Sequence, residues 1–291
     1  MIGVFLLGAI VASLIAGPLS GAIMKFLDGL NGWHGWQWLF LVQGLPAPLL
    51  GLLAWRVLVD RPEQATWLST AQKTRLRQQL DAESQSSTKA SHGSLRDLLC
   101  DAKFWTLALV YVVMVAGTYA MAFWIPTLIR GWGVSDLMDI GLYATLPQLG
   151  AVAGVILLGR SSDRLRERRW HFTAGALLAA CGLATIALGQ GQFIISMTGL
   201  CLAVTGIASV TPVFFALVSE YLPRTSVAVG IALISSIGNL GGAIIPSLTS
   251  AINTATGGTT YSMYFVMSLY LLACFIILLA ARRPAPVFQS A

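Results

Sequence analysis

Residues 140–171 read "IGLYATLPQLGAVAGVILLGRSSDRLRERRWH", and the break inside this stretch decides the fold. Up to Leu158 no side chain carries a charge. Then Arg160, Arg164, Arg166, Arg168 and Arg169 fall within ten residues, beside Asp163 and Glu167. A helix needs roughly 20 apolar residues, at about 1.5 Å each, to cross a bilayer. An apolar run that ends abruptly in arginines reads as a span followed by a cytoplasmic loop.

The rest of the chain repeats the pattern. Of 291 residues, 56% are hydrophobic and 10% charged, too few charges for a soluble domain, which carries about 25%. The mean hydropathy of +0.75 agrees. Eight apolar runs lie near residues 2–24, 37–59, 104–129, 139–160, 171–189, 192–221, 226–251 and 261–281. The fold expected is an all-α, polytopic membrane helix bundle of eight spans. No basic region precedes the first run, which argues against a signal peptide. The net charge of +6 does not point to nucleic acid, because the basic residues sit at the ends of apolar runs. The lipid bilayer is the partner that composition implies.

Basic residues alternate between connections. Counting every second connection with the tail places 16 of the 18 Lys and Arg on one side, and Lys25 and Arg130 on the other. Both termini are therefore expected on the cytoplasmic side. The longest polar stretch, residues 60–103, separates two spans (1–59) from six (104–284), and 285–291 form a tail. Within it "STAQKTRLRQQLDAE" predicts a surface helix, with Ser69 and Gln72 spaced as a capping box and Leu76 and Leu80 on one face. Ser94 is expected to cap a second short helix before the third span.

The spans hold no Asp, Glu, Lys, Arg or His at their middle, so they carry no obvious proton relay. Glu220 lies at a membrane edge and reads as interfacial. Small residues four apart, Gly17 and Gly21, Gly150 and Gly154, Gly238 and Gly242, permit close helix approach. Pro18, Pro46, Pro48, Pro126, Pro147, Pro212 and Pro246 can bend the spans that hold them. The polar side chains within spans are neutral: Thr118, Tyr119, Gln148, Thr211, Ser235, Ser236 and Asn239. They could bind hydroxyls or carboxylate oxygens, or simply tie helices together. His34, His92 and His171 fall in loops or at span ends and read as solvated. No metalloprotease or P-loop pattern is present. The chain is not expected to be an enzyme, and no cofactor or metal is implied.

The stretch "GRSSDRLRERRWH" resembles the G-x-x-x-D-R-x-x-R-R loop signature of the major facilitator superfamily. "GPLSGAIM", "GWQWLFLVQGLPA", "DRPEQATWLS", "FWIPTLI", "IGLYATLPQL" and "GIALISSIGNLGG" are similar to segments of its anion:cation symporter family, in the same order. The nearest flavour is the permeases for tartrate, phthalate, 4-hydroxyphenylacetate and sugar acids. The resemblance makes the eight spans helices five to twelve of a twelve-helix fold. Residues 1–59 are then the last two helices of the N-terminal bundle, 60–103 the cytoplasmic loop between bundles and 104–284 the six-helix C-terminal bundle. Gln43 stands where the family pattern "EGLP" would place an acid.

What the resemblance implies is proton-coupled symport of small organic anions, hydroxy- or aromatic carboxylates, by alternating access in the inner membrane. It places Thr118, Tyr119 and Asn239 at the substrate, and the neutral in-span residues Gln148, Thr211 and Ser235 are candidate substrate contacts beside them. It makes Asp163, Arg164 and Arg168 a cytoplasmic gate, where the residues alone also allow mere topology marking. It further implies a missing four-helix N-terminal segment as partner, so the chain is expected to be a fragment, a truncated open reading frame or one piece of a split gene, transporting poorly or not at all by itself. The alternative is a non-transporting membrane scaffold.

Overall fold

The computed structural model describes residues 2–59, 62–78, 98–222 and 226–280, with side chains in the first helix from Val11 onward. Among them all regular structure is helical. Lipid offers no partner to a backbone N–H or C=O, so an apolar chain must satisfy both within each segment, as helices do.

Helix α1 runs Ile2–Phe26, α2 Gly35–Gly44 and α3 Pro46–Val57. After the polar connection come α4 Ala102–Gly131, α5 Leu137–Tyr143, α6 Thr145–Leu165 and α7 Arg169–Leu188. Helices α8 Phe193–Tyr221, α9 Val227–Thr256 and α10 Thr260–Ala280 complete the bundle. Seven segments are long and apolar enough to cross a membrane, with α2–α3 and α5–α6 each counting as one. The first expected run forms the 25-residue α1, of which Val11–Phe26 counts as a shorter apolar helix among the described residues.

Proline chemistry explains the two divided spans. Pro46 and Pro48 lack the N–H that would continue α2, and the break falls at Leu45, whose own backbone stays helical at φ −58 and ψ −38. Pro147 sits in the first turn of α6, just past the break at Ala144. Pro18, Pro126, Pro212 and Pro246 lie inside unbroken helices.

Helix α8 packs between α7 and α6; α10 lies on α7 and α4, and α9 lies on α4. Helix α1 lies outside this six-helix body and docks on its α6 and on α5. Backbones meet there: a Cβ placed on Gly141 would come 2.5 Å from the Gly17 carbonyl oxygen, inside contact distance. In lipid, where apolar burial drives little, such close van der Waals packing holds helices together. Aromatic packing adds to it: Tyr111 of α4 stacks on Phe214 of α8 at 5.4 Å between centroids. Tyr270 of α10, fully buried, donates to the Met114 carbonyl of α4 at 3.3 Å.

The polar connection begins as expected. Residues 70–78 are helical, the Gln72 amide donates to Ser69 Oγ at 3.3 Å, and the Ser69 amide donates to Gln72 Oε1 at 2.9 Å. Leu80, Ser94 and His92 lie outside the described residues. Gln43, standing where an acid was expected, donates from Nε2 to Ser20 Oγ at 2.9 Å and so ties α2 to α1.

Candidate functional site

A cavity of about 390 Å³ opens between α1, α4, α6 and α8. Its polar lining is Ser13 of α1, Thr118 of α4, Gln148 of α6 and Thr211 of α8. Met121, Ile125, Val155 and Ile207 are among its apolar walls. Among the described residues no Lys, Arg, His, Asp or Glu lines it. Thr118 spends its hydroxyl proton on the Met114 carbonyl, one turn back, at 3.0 Å. Gln148 and Thr211 make no hydrogen bond among the described residues, so their polar groups are available to a guest. Pro212, next to Thr211, also lines the cavity and cannot donate to the α8 ladder.

Three expected substrate residues thus share one cavity, and three do not line it. Tyr119 is 44% exposed and lays its ring beside Gly242 of α9. Ser235 pairs with the Tyr111 phenol of α4. Asn239 is exposed and makes no hydrogen bond among the described residues. Ser13 and the apolar walls went unrecognised in the sequence, because nothing local distinguishes them from ordinary span residues.

The second polar centre caps the bundle at the α6–α7 connection. Arg166 turns the chain in the left-handed region, φ 50, and brings Arg168 back over the end of α6. Arg168 donates from Nη1 to Asp163 Oδ1 at 2.6 Å and to Ser162 Oγ at 3.0 Å. Its Nε donates to Glu220 Oε1 of α8 at 3.1 Å. Burial disfavours the Arg168 charge, but the hydrogen bonds to Asp163 and Glu220 outweigh it and hold the guanidinium above its ordinary pKa. Arg164 is exposed and makes no ion pair among the described residues. Glu220, read from sequence as merely interfacial, is the second acid of the cluster.

His171 departs from the expectation of a solvated loop residue. It sits in the first turn of α7 with a side chain only 14% exposed. Its Nε2 lies 2.9 Å from Ser161 Oγ, and its Nδ1 faces Glu167 Oε2 at 3.5 Å. Tyr221, next to Glu220 in the chain, donates to Asp101, the N-cap of α4, so the end of α8 is tied to α4 as well as to the α6–α7 connection.

The sequence model of the Major Facilitator Superfamily matches residues 1–246 and 135–291, which together cover the chain. The chain belongs to the Major Facilitator Superfamily. It is 36% identical to a Pseudomonas putida protein named as the metabolite transport protein NicT, over 96% of this chain and 63% of that protein. It is 38% identical to an Agrobacterium vitis protein named as a tartrate transporter, over 97% of this chain and 64% of that one. The chain thus spans less than two thirds of these superfamily relatives. Among solved structures, the Escherichia coli fucose:proton symporter FucP matches with a TM-score of 0.59 at 15% identity, covering 95% of this chain and 84% of FucP. That likeness shows the fold. The helical architecture and the superfamily place this chain among multi-pass membrane proteins. Its named relatives are transporters and not enzymes.

Proposed function

We propose that the chain is the greater part of a carrier that symports small organic anions with protons by alternating access. The observation that carries this reading is the cavity between α1, α4, α6 and α8, where Thr118, Gln148 and Thr211 converge from three helices. A site at the junction of α1 with the six-helix body is placed where rocking of one unit against the other would expose it to each side in turn. The tartrate name of the Agrobacterium vitis relatives supports the organic-anion class.

In this reading Thr118, Gln148 and Thr211 contact the substrate within the cavity. Tyr119, Ser235 and Asn239, on α4 and α9 and outside the cavity lining, are further substrate contacts in this reading. The cluster of Asp163, Arg168 and Glu220 is the cytoplasmic gate, with Arg164 as a solvated neighbour. The membrane is the inner membrane and both described ends face the cytoplasm. Residues 1–59 belong to the N-terminal bundle, 60–103 to the connection and 104–284 to the C-terminal bundle. The charge that neutralises the anion, and the proton carrier, lie outside these spans.

Reconstitution tests this. Liposomes holding the chain alone are expected to show no carboxylate uptake under an inward proton gradient. Co-reconstitution with the first four helices of a relative is expected to restore it. Uptake by the chain alone refutes the division of labour. A failure of the added helices to change anything favours a non-transporting scaffold.

A further inference from the structure

We infer that His171 is a pH-sensitive brace. When its imidazole is charged it fastens the α6–α7 connection to both helices, and when neutral it loosens its tie to Glu167. The inference concerns the connection itself and holds whatever the protein carries.

The ring joins three elements. It belongs to the first turn of α7; Nε2 lies 2.9 Å from Ser161 Oγ, near the end of α6, and Nδ1 lies 3.5 Å from Glu167 Oε2, in the connection. The second contact is an ion-pair distance, longer than a hydrogen bond, and the buried Nδ1 has no hydrogen bond among the described residues. A serine hydroxyl donates or accepts, so Ser161 suits either form of the ring. An ionised carboxylate only accepts. Neutral imidazole has one proton for two nitrogens. On Nε2 that proton serves Ser161 and leaves a lone pair against Glu167; on Nδ1 it meets Glu167 without charge. Only the charged ring donates at both ends. Its charge then draws Nδ1 and the carboxylate toward about 2.7–2.9 Å, the length of a charge-assisted pair.

The charged groups of the neighbouring elements are Arg160, Asp163 and Arg164 on α6, Arg166, Glu167 and Arg168 in the connection, Arg169 on α7 and Glu220 on α8; α10 has none within Thr260–Ala280. Arg168 is engaged by Asp163 and Glu220, and Arg169 lies over the Trp170 ring, 5.3 Å from its centroid. Glu167 is the acid that reaches the imidazole.

Glu167 also carries the signal onward. Its Oε2 accepts from the Trp170 amide at 2.7 Å, and its carbonyl accepts from Ser162 Oγ at 2.8 Å. Ser162 Oγ in turn accepts from Arg168 Nη1 at 3.0 Å, and Arg168 holds Glu220 of α8. A pull on Glu167 is therefore passed through Ser162 to the guanidinium that binds the end of α8. Histidine is the side chain whose charge ordinarily changes between about pH 5 and 8. The brace tightens on the acid side of that range and slackens on the alkaline side. In the carrier reading it restrains this end of the bundle as entering protons acidify its side.

The test is hydrogen exchange of the full chain in lipid nanodiscs between about pH 5.5 and 8, read as protection factors so that the intrinsic pH dependence of exchange cancels. Amides 162–168 are expected to be about three- to fivefold better protected at the acid end, the scale of a pair whose carboxylate is 37% exposed. His171→Gln cannot take up charge. Glu167→Gln keeps an acceptor for the Trp170 amide but loses the charge. Each is expected to abolish the pH dependence, while unchanged protection of the buried α4 residues Val110, Val113 and Met114 reports that the variant is folded. Should one variant fail to fold, the other decides. Imidazole 15N spectra, with the His171 signals assigned by their loss in His171→Gln, are expected to titrate over the range in which protection changes. Protection that ignores pH, a pH dependence that survives either substitution, or a His171 ring that keeps one charge state throughout overturns the inference. No uptake is measured, so each of these results leaves the transport reading standing.

Discussion

Arg168, in the connection between α6 and α7, reaches Glu220 at the far end of α8, Nε to Oε1 at 3.1 Å across 52 residues of sequence. The same guanidinium holds Asp163 at 2.6 Å. One planar fork therefore ties the ends of two helices and their connection together. The acids are 72% and 61% exposed, the arginine only 16%, so solvent weakens each pair but the donor is held in place.

Arg168→Gln is expected to loosen this end of the bundle. Hydrogen exchange at the α6–α7 connection and the last turn of α8 should rise by several fold, on the order of 1 kcal/mol of local stability. Arg168→Lys should restore little, because one ammonium lacks the fork that serves both carboxylates. Unchanged exchange in Arg168→Gln would show that the cluster only marks topology.

Contacts between connections support alternation of the chain. Lys25 after α1 meets Asp136 before α5, and Gln190 after α7 meets Thr260 at the start of α10. At the opposite end Arg168 meets Glu220 and Tyr221 meets Asp101. Sided labelling should follow. In a chain whose own cysteines are replaced, Gly191→Cys is expected to react with an impermeant maleimide from outside the cell. Arg166→Cys is expected to react only after permeabilisation. Reaction of both from one side would break the threading.

The docking of α1 depends on its glycine contact. Gly141→Val places a branched side chain where a single Cβ already lies 2.5 Å from the Gly17 carbonyl oxygen. Overpacking of this kind typically costs about 1–3 kcal/mol. Cross-linking of a Lys25→Cys, Asp136→Cys pair should fall in the Gly141→Val background while the six-helix body stays folded. Undiminished cross-linking would show that α1 is held by other contacts.

Acid should release the same pair of elements. The Lys25 ammonium, aided by the amides of Met138 and Asp139, holds the Asp136 carboxyl below its ordinary pKa, against a smaller effect of desolvation. A carboxyl depressed in the folded state stabilises at every pH above its unfolded value, about 3.9, and loses that contribution as pH falls through the folded value. Docking of α1, followed by fluorescence transfer between labels on α1 and α5, should hold from neutrality to about pH 4 and weaken below it. Asp136→Asn should remove this acid dependence. A transition near pH 6 would assign the effect to another group.

The positions of seven of the eight spans and the Ser69–Gln72 capping box were legible in the sequence, since each follows from residues adjacent along the chain. Hydropathy is summed over a window and needs no knowledge of what a helix touches. Which polar side chains share a cavity is a different question. Successive helical residues point about 100° apart, so Thr118 can face the cavity while Tyr119 turns toward α9. Ser235 and Asn239 do stand four apart on one helix, yet only the docking of α9 on α4 turned Ser235 toward Tyr111. Glu220 likewise gained its partner only when α8 came to rest beside the α6–α7 connection. Local composition determines that a helix forms and where it crosses; its rotation about its own axis is set by the neighbours it packs against, and that belongs to the tertiary structure alone.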